Sequence, residues 1–262
     1  MKNCCIILGI LAIVWHQGCQ PTTPKQEDER IDEADVVMVT DTGEIYIKLY
    51  DETPIHKENF LKLCREGFYD GIAFHRIIQD FMVQIGDPRT KEGADRQSRE
   101  DDAGYTLPAE ISEKLLHTKG KLAAARYPDE MNPAWESSSS QFYIVTGKWA
   151  KPEDLDNAEM AMNYAREMRL RRMYNALKDS GSYTSSFNNY LSEQGFKEIY
   201  YTEEQRAIYD QMQGFPSLDF QYTIFGEVVG GMDVVNRIER LPTAGEIPTV
   251  VVRIEEMKVI DP

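Results

Sequence analysis

Residues 74–84, FHRIIQDFMVQ, constrain the fold of this chain more than any other stretch. Two short apolar runs meet at Gln79 and Asp80, the pattern of a strand, a turn and a second strand. Side chains alternate between the faces of a strand. Phe74, Arg76 and Ile78 therefore share one face of the first run, and Met82 and Gln84 one face of the second. An arginine and a glutamine then stand beside phenylalanine and methionine on one sheet surface. A plain core strand would exclude such polar side chains. The pattern suits a binding floor carrying one fixed cation, and a solvated edge hairpin is the simpler alternative.

Charge narrows the partners. With 29 basic against 44 acidic residues the chain carries a formal −15, whereas binding a phosphate backbone requires clustered Lys and Arg. No nucleic-acid partner is expected. At 262 residues and 42% hydrophobic content the composition is globular, with room for one large or two small domains. Of the four cysteines only Cys64 falls in the body, so no disulfide within the domain and no metal site is expected. The four histidines, His16, His56, His75 and His117, are scattered and form no catalytic cluster in the sequence.

The N-terminus begins with Lys2 and an apolar run over residues 4–15, followed by Gly18 and Cys19. That run suits a secretory signal and falls short of the ~20 residues of a spanning helix. The Gly-Cys ending resembles a bacterial lipoprotein signal, although His16 stands where that pattern usually has leucine. The expectation is a signal peptide over 1–18 and a lipidated tether over 19–34 starting at Cys19. The protein would then be anchored to a membrane of the bacterial cell envelope, facing the periplasm or the cell surface. An ordinary cleaved signal is the alternative.

The body spans 35–262. Two β runs flank Asp41, Thr42 and Gly43 as a hairpin. Thr53 and Pro54 open a helix whose apolar face is Phe60, Leu61, Leu63 and Cys64, and Gly67 ends it. Further β runs follow around Leu122, Phe142, Ile224, Val251 and Met257, with a helix over 231–240. Residues 151–216 interrupt the pattern. Ala158, Met162, Ala165 and Met168 recur at helical spacing, continued by Leu170, Met173, Tyr174 and Leu177. Phe187, Tyr190 and Leu191 suggest a second helix, and Thr202 with Gln205 reads as a capping box opening a third.

The run FHRIIQDFMVQ, with GKLAAAR (120–126), QFYIVTG (141–147) and LDFQYTIFGEV (218–228) in that order, resembles the cyclophilins, the peptidyl-prolyl cis/trans isomerases. The resemblance implies that Arg76 is the catalytic arginine. It implies a proline pocket walled by Phe81, Met82 and Tyr143 and floored by Leu218, with Gln84 and Gln141 binding the substrate backbone and Ala125 beside the extended peptide. Tyr143 stands where Phe is commoner. Arg126 replaces an Asn, Tyr222 a pocket His, and Ser217 a Trp associated with cyclosporin binding. Arg126 and Tyr222 remain expected substrate contacts.

The fold this implies is mainly β: a closed eight-stranded antiparallel β-barrel with two flanking helices and an additional helical insertion over 151–216, expected to extend one wall of the peptide groove. The implied activity is prolyl isomerisation of unfolded or partly folded envelope proteins by a monomer, with proline-containing polypeptides as partners. Rotating a tertiary amide makes and breaks no bond, so the chemistry requires no cofactor and no metal. The other class of function is a non-catalytic cyclophilin-scaffold binding module or a holdase chaperone, for which the substituted rim and the insertion speak.

Overall fold

The expected hairpin is β1 (Val36–Thr40) and β2 (Gly43–Leu49), antiparallel, with Val36, Met38, Ile45, Ile47 and Leu49 all turned inward. This computed structural model describes residues 30–98 and 100–260. The expected signal segment, Cys19 and the tether up to residue 29 lie outside the described residues. Helix α1 (Pro54–Arg65) drops Phe60, Leu63 and Cys64 onto the inner core, where the Phe60 ring meets Phe142 edge-on at 5.2 Å. Its expected cap is not made by Thr53, whose hydroxyl is buried without a partner among the described residues. Glu110, from a distant loop, instead accepts the Ile55 and His56 backbone N–H groups at 3.1 and 3.0 Å. A full carboxylate at a helix N-terminus suits the dipole better than a hydroxyl.

The run over residues 74–84 forms β3 (Arg76–Ile78) and β4 (Met82–Ile85), joined through Asp80 in the left-handed region at φ 59°. The eight main strands are completed by β6 (Lys121–Ala124), β8 (Phe142–Val145), β9 (Ile224–Gly230) and β12 (Ile254–Val259). Short strands β5 (Thr106–Leu107) and β7 (Ser137–Ser138) pair with each other, as do β10 (Thr243–Ala244) and β11 (Ile247–Pro248). The main sheet runs β12-β1-β2-β9-β6-β8-β4-β3, antiparallel at every paired step. Helix α5 (Met232–Glu239) adds Val234, Val235 and Ile238 to the core, giving the two flanking helices expected.

The closed barrel is not found. The sheet is open and curled, with β12 and β3 as its two edges. Ala73 and Arg253 make a single bridge across the seam, supported by Phe74 N–H to Val252 O at 3.0 Å and Ile254 N–H to Ile72 O at 2.9 Å. Among the described residues no ladder continues from there, because Ile77 of β3 donates its N–H to Glu246, between β10 and β11.

The insertion forms the three expected helices: α2 (Pro152–Asp179), α3 (Phe187–Glu193) and α4 (Glu203–Gln211). Leu155, Ala158 and Met162 pack with Leu116, Tyr201, Tyr209 and Phe220, while Tyr174 further along packs on Phe187 and Tyr190. Ala165 and Met168 are only half-buried and Leu177 is exposed. The same face of α2 buries two polar groups. Asn163 bonds both the N–H and the C=O of Ile199, and Glu159 accepts the Tyr201 N–H. The capping box forms as expected, with Thr202 Oγ1 accepting the Gln205 N–H and Gln205 Oε1 accepting the Thr202 N–H.

Candidate active site

Cross-strand register assembles the floor. Arg76 pairs with Gln84, Gln84 with Tyr143, and Tyr143 with Ala123, so four strands each contribute one residue to a single row. Arg76 Nη1 donates to Gln84 Oε1 at 3.3 Å, Gln84 Nε2 to Gln141 Oε1 at 3.1 Å, and Gln141 Nε2 to Asp101 O at 2.7 Å. The row is directional. With its carbonyl oxygen engaged by a cation, Gln84 must present its NH₂ to Gln141, which orients both amides. On the other side Arg76 Nε donates to Glu246 Oε2 at 2.6 Å, a pair that is 40% and 53% exposed.

Beside this row lies the apolar patch. Met82, Ala123, Tyr143, Val145 and Ile224 are buried, with Phe81, Leu218 and Tyr222 half-buried against them. Phe81, Met82, Tyr143, Leu218 and Tyr222 therefore come together as the sequence suggested. Tyr222 meets the Tyr143 ring edge-on at 6.1 Å. Gln84, Ala125 and Gln141 line a neighbouring cleft of about 190 Å³ with Asp101, Asp102 and Tyr127.

Arg126 lines the same cleft as Gln84, Ala125 and Gln141, where the sequence reading allows it a backbone contact. Its side chain is 4% exposed, with its guanidinium carbon 4.5 Å from the Tyr222 ring centroid and 4.9 Å from that of Trp135. Nη1 donates to Asp129 Oδ1 at 2.7 Å and Nε to the Gln221 carbonyl at 3.2 Å. An arginine so engaged supports Tyr222 and leaves only its backbone to a substrate. The neighbouring carboxyl of Asp129 is held below its usual range; burial opposes this, but bonds from Arg126 and Arg172 prevail.

Four residues at the site were missed in the sequence. His117 is fully buried beneath Tyr143, with Nε2 3.1 Å from the tyrosine hydroxyl and Nδ1 2.8 Å from Asp219 Oδ1. Asp219, also fully buried, accepts the His117 backbone N–H at 2.6 Å and the hydroxyls of Tyr201 and Tyr209 at 2.8 and 2.6 Å. A carboxylate only accepts, so Nδ1 carries a proton. In the neutral ring Nε2 is then an acceptor and Tyr143 donates to it. Burial pushes the Tyr143 phenol well above its ordinary value, so it stays protonated for that role. Phe215 stacks on Phe81 at 4.0 Å and 25°. Glu246 completes the four. The proximity of Asp219 to Leu218 was the one local signal; the others become neighbours only through the fold.

The family model of cyclophilin type peptidyl-prolyl cis-trans isomerase/CLD matches residues 35–167 and 205–259. The chain belongs to the cyclophilin-type peptidyl-prolyl cis-trans isomerase family. The unmatched residues 168–204 hold the end of α2 and all of α3. This cyclophilin is 30% identical over 207 residues to a protein of Staphylococcus epidermidis assigned as a peptidyl-prolyl cis-trans isomerase, covering 79% of this chain and 81% of that one. It is 40% identical over 111 residues to a bifunctional phosphatase/peptidyl-prolyl cis-trans isomerase assignment in Streptococcus pyogenes, covering 42% of this chain and only 22% of that protein's length. The crystal structure of a cyclophilin type isomerase from Cryptosporidium parvum superposes with a TM-score of 0.54 at 19% identity, over 87% of this chain and 97% of that one, a likeness of fold.

Proposed function

We propose that this cyclophilin isomerises X-Pro bonds in unfolded or partly folded proteins of a bacterial cell envelope. The observation that carries the reading is the Arg76 guanidinium, bonded to Gln84 beside the apolar patch of Phe81, Met82, Tyr143 and Leu218. Amide resonance gives the bond a rotation barrier of ~18–20 kcal/mol. As the bond twists, the prolyl nitrogen becomes pyramidal and its lone pair can accept a hydrogen bond that the planar amide refuses. Arg76 is the donor. Its contribution is therefore differential, greater in the transition state than in the ground state. A charge-assisted bond supplies ~1.5–3 kcal/mol, roughly one to two powers of ten in rate. The apolar patch holds the proline ring, and the Gln84 and Gln141 amides hold the preceding backbone, so that one side of the bond turns against a fixed partner. The chemistry needs no cofactor or metal.

Residues 35–262 are proposed as the isomerase domain, a monomer interrupted by the 151–216 insertion, and residues 1–18 as a signal peptide. Lipidation of Cys19 would tether the domain to a membrane, supported by the apolar run over residues 4–15 and the Gly18-Cys19 pair that follows it. In a coupled peptide assay the domain should accelerate cis-to-trans conversion of an X-Pro tetrapeptide, and Arg76→Ala should lose ten- to a hundredfold in kcat/KM at an unchanged thermal midpoint. Wild-type conversion no faster than solvent at micromolar enzyme would replace catalysis with peptide binding alone. Mass spectrometry of membrane-extracted protein should find an acylated Cys19 as the mature N-terminus; a different N-terminus without lipid mass would remove the anchor.

A further inference from the structure

His117 joins three parts of the molecule. Its imidazole bonds the Tyr143 hydroxyl, its carbonyl accepts the Phe215 N–H at 2.8 Å, and both its backbone N–H and its Nδ1 meet Asp219. Phe215 follows α4, within the residues that the family model matches, and its position is tightly fixed. The preceding Gly214 bridges Thr118 on one side and Lys148 on the other, with the Gly214 N–H donating to Lys148 O at 2.9 Å and the Lys148 N–H to Gly214 O at 3.1 Å. A Cβ at Gly214 would lie 2.7 Å from His117 O and 2.6 Å from the Tyr209 ring, so no larger residue fits without displacing that backbone. Tyr201, from the unmatched residues 168–204, and Tyr209 of α4 grip the other oxygen of Asp219. Two aromatic rings of the patch, Tyr143 and Phe215, thus hang on one histidine that Asp219 and its two tyrosines hold in place.

We propose that Phe215 is a specificity-determining wall of the proline pocket beside Phe81, and that His117 with Asp219 is a positioning pair that sets Phe215 and Tyr143 together. This rests on the isomerase reading above. A Phe215 ring stacked on Phe81 at 4.0 Å would narrow a proline site on that side, so the wild type should favour the five-membered proline ring over the six-membered ring of pipecolic acid. An apolar pocket discriminates one methylene by roughly ten- to two-hundredfold.

The test measures kcat and KM for two tetrapeptides that differ only in carrying proline or pipecolic acid. Phe215→Ala should raise KM for the proline peptide about three- to tenfold and reduce the preference for proline at least fivefold, with Phe215→Leu intermediate. The double variant Tyr201→Phe/Tyr209→Phe keeps the helices but removes two of the four donors on Asp219, and should raise KM about threefold or more. A lowered thermal midpoint with unchanged KM and unchanged preference in these variants would assign the residues to stability alone and overturn the proposal. Should Phe215→Ala fail to fold, Phe215→Leu decides by the same ratio. If the wild type turns over neither peptide, the isomerase reading fails on its own, and calorimetric affinities for the two peptides replace KM. An unchanged affinity ratio in Phe215→Leu would then overturn the pocket proposal as well.

Discussion

Asp219→Ala removes the acceptor for four donors in a site where Asp219 and His117 are both fully buried. Some of the loss can be absorbed. The imidazole can move its proton to Nε2 and donate to Tyr143, and the Tyr201 hydroxyl retains the Pro216 carbonyl at 3.0 Å. The His117 N–H and the Tyr209 hydroxyl keep no such second partner among the bonds described. Each buried orphan costs about 1–3 kcal/mol, and breaking a buried charged network about 3–5 kcal/mol in total. Against a whole-domain stability of about 5–15 kcal/mol that is a large fraction. Asp219→Asn keeps Oδ1 for His117 and turns its NH₂ toward two hydroxyls that can accept as readily as donate, so about 1–2 kcal/mol is expected from the lost charge assistance. Urea unfolding followed by circular dichroism gives both differences from the midpoints at constant slope. An alanine variant within about 1 kcal/mol of wild type, or an asparagine variant as damaged as alanine, would refute the idea that these four donors depend on the carboxylate.

The remaining expectations concern the edge of the site and its response to acid. Glu246→Gln leaves Arg76 held by Gln84 alone; because the lost pair is solvent-exposed and worth at most about 1 kcal/mol, kcat/KM should fall by no more than about fivefold. A larger fall in steady-state assays would mean that Glu246 contacts substrate. Burial holds His56 below the ordinary value of 6.5, outweighing the Glu110 carboxylate that favours its charge, so the folded chain takes up this proton at lower pH than the unfolded chain. Stability from this group is complete above about pH 6.5 and declines as pH falls through the folded value. The urea midpoint should therefore be lower at pH 5.5 than at pH 7.5, and a His56→Gln variant should show a smaller drop; equal drops would place the effect elsewhere.

The floor of the site was legible because it depends on a period of two. Arg76, Gln84, Ile78 and Met82 share a face whatever the rest of the chain does, and their pairing needs only the turn between them. The insertion's helices were legible for the same reason at a period of 3.6. Sheet closure was not, since it depends on whether β3 spends its N–H groups on β12 or, as Ile77 does, on the β10–β11 hairpin. Nor was the start of α1, where a carboxylate more than fifty residues away displaces an adjacent hydroxyl. The side-chain partners of Arg126 were not legible either, because Asp129 and Trp135 from its own loop and Tyr222 from a distant one gather round it only in the fold. His117 carries no periodic signal at all; its four bonds are long-range or made by its own backbone.

The meeting of Lys148 with Gly214 also sets an order of assembly. These residues lie about 65 apart in sequence, and closing such a loop costs about 2.5 kcal/mol more than closing a four-residue turn. The β1–β2 and β3–β4 hairpins face no such delay, so local pairs form first and the junction at Gly214 afterwards. Phe215 reaches Phe81 only once that junction closes. A refolding chain should therefore regain its β-sheet signal before Phe215 stands beside Phe81, and a chain caught between the two steps would share the unwalled patch of the Phe215→Ala variant.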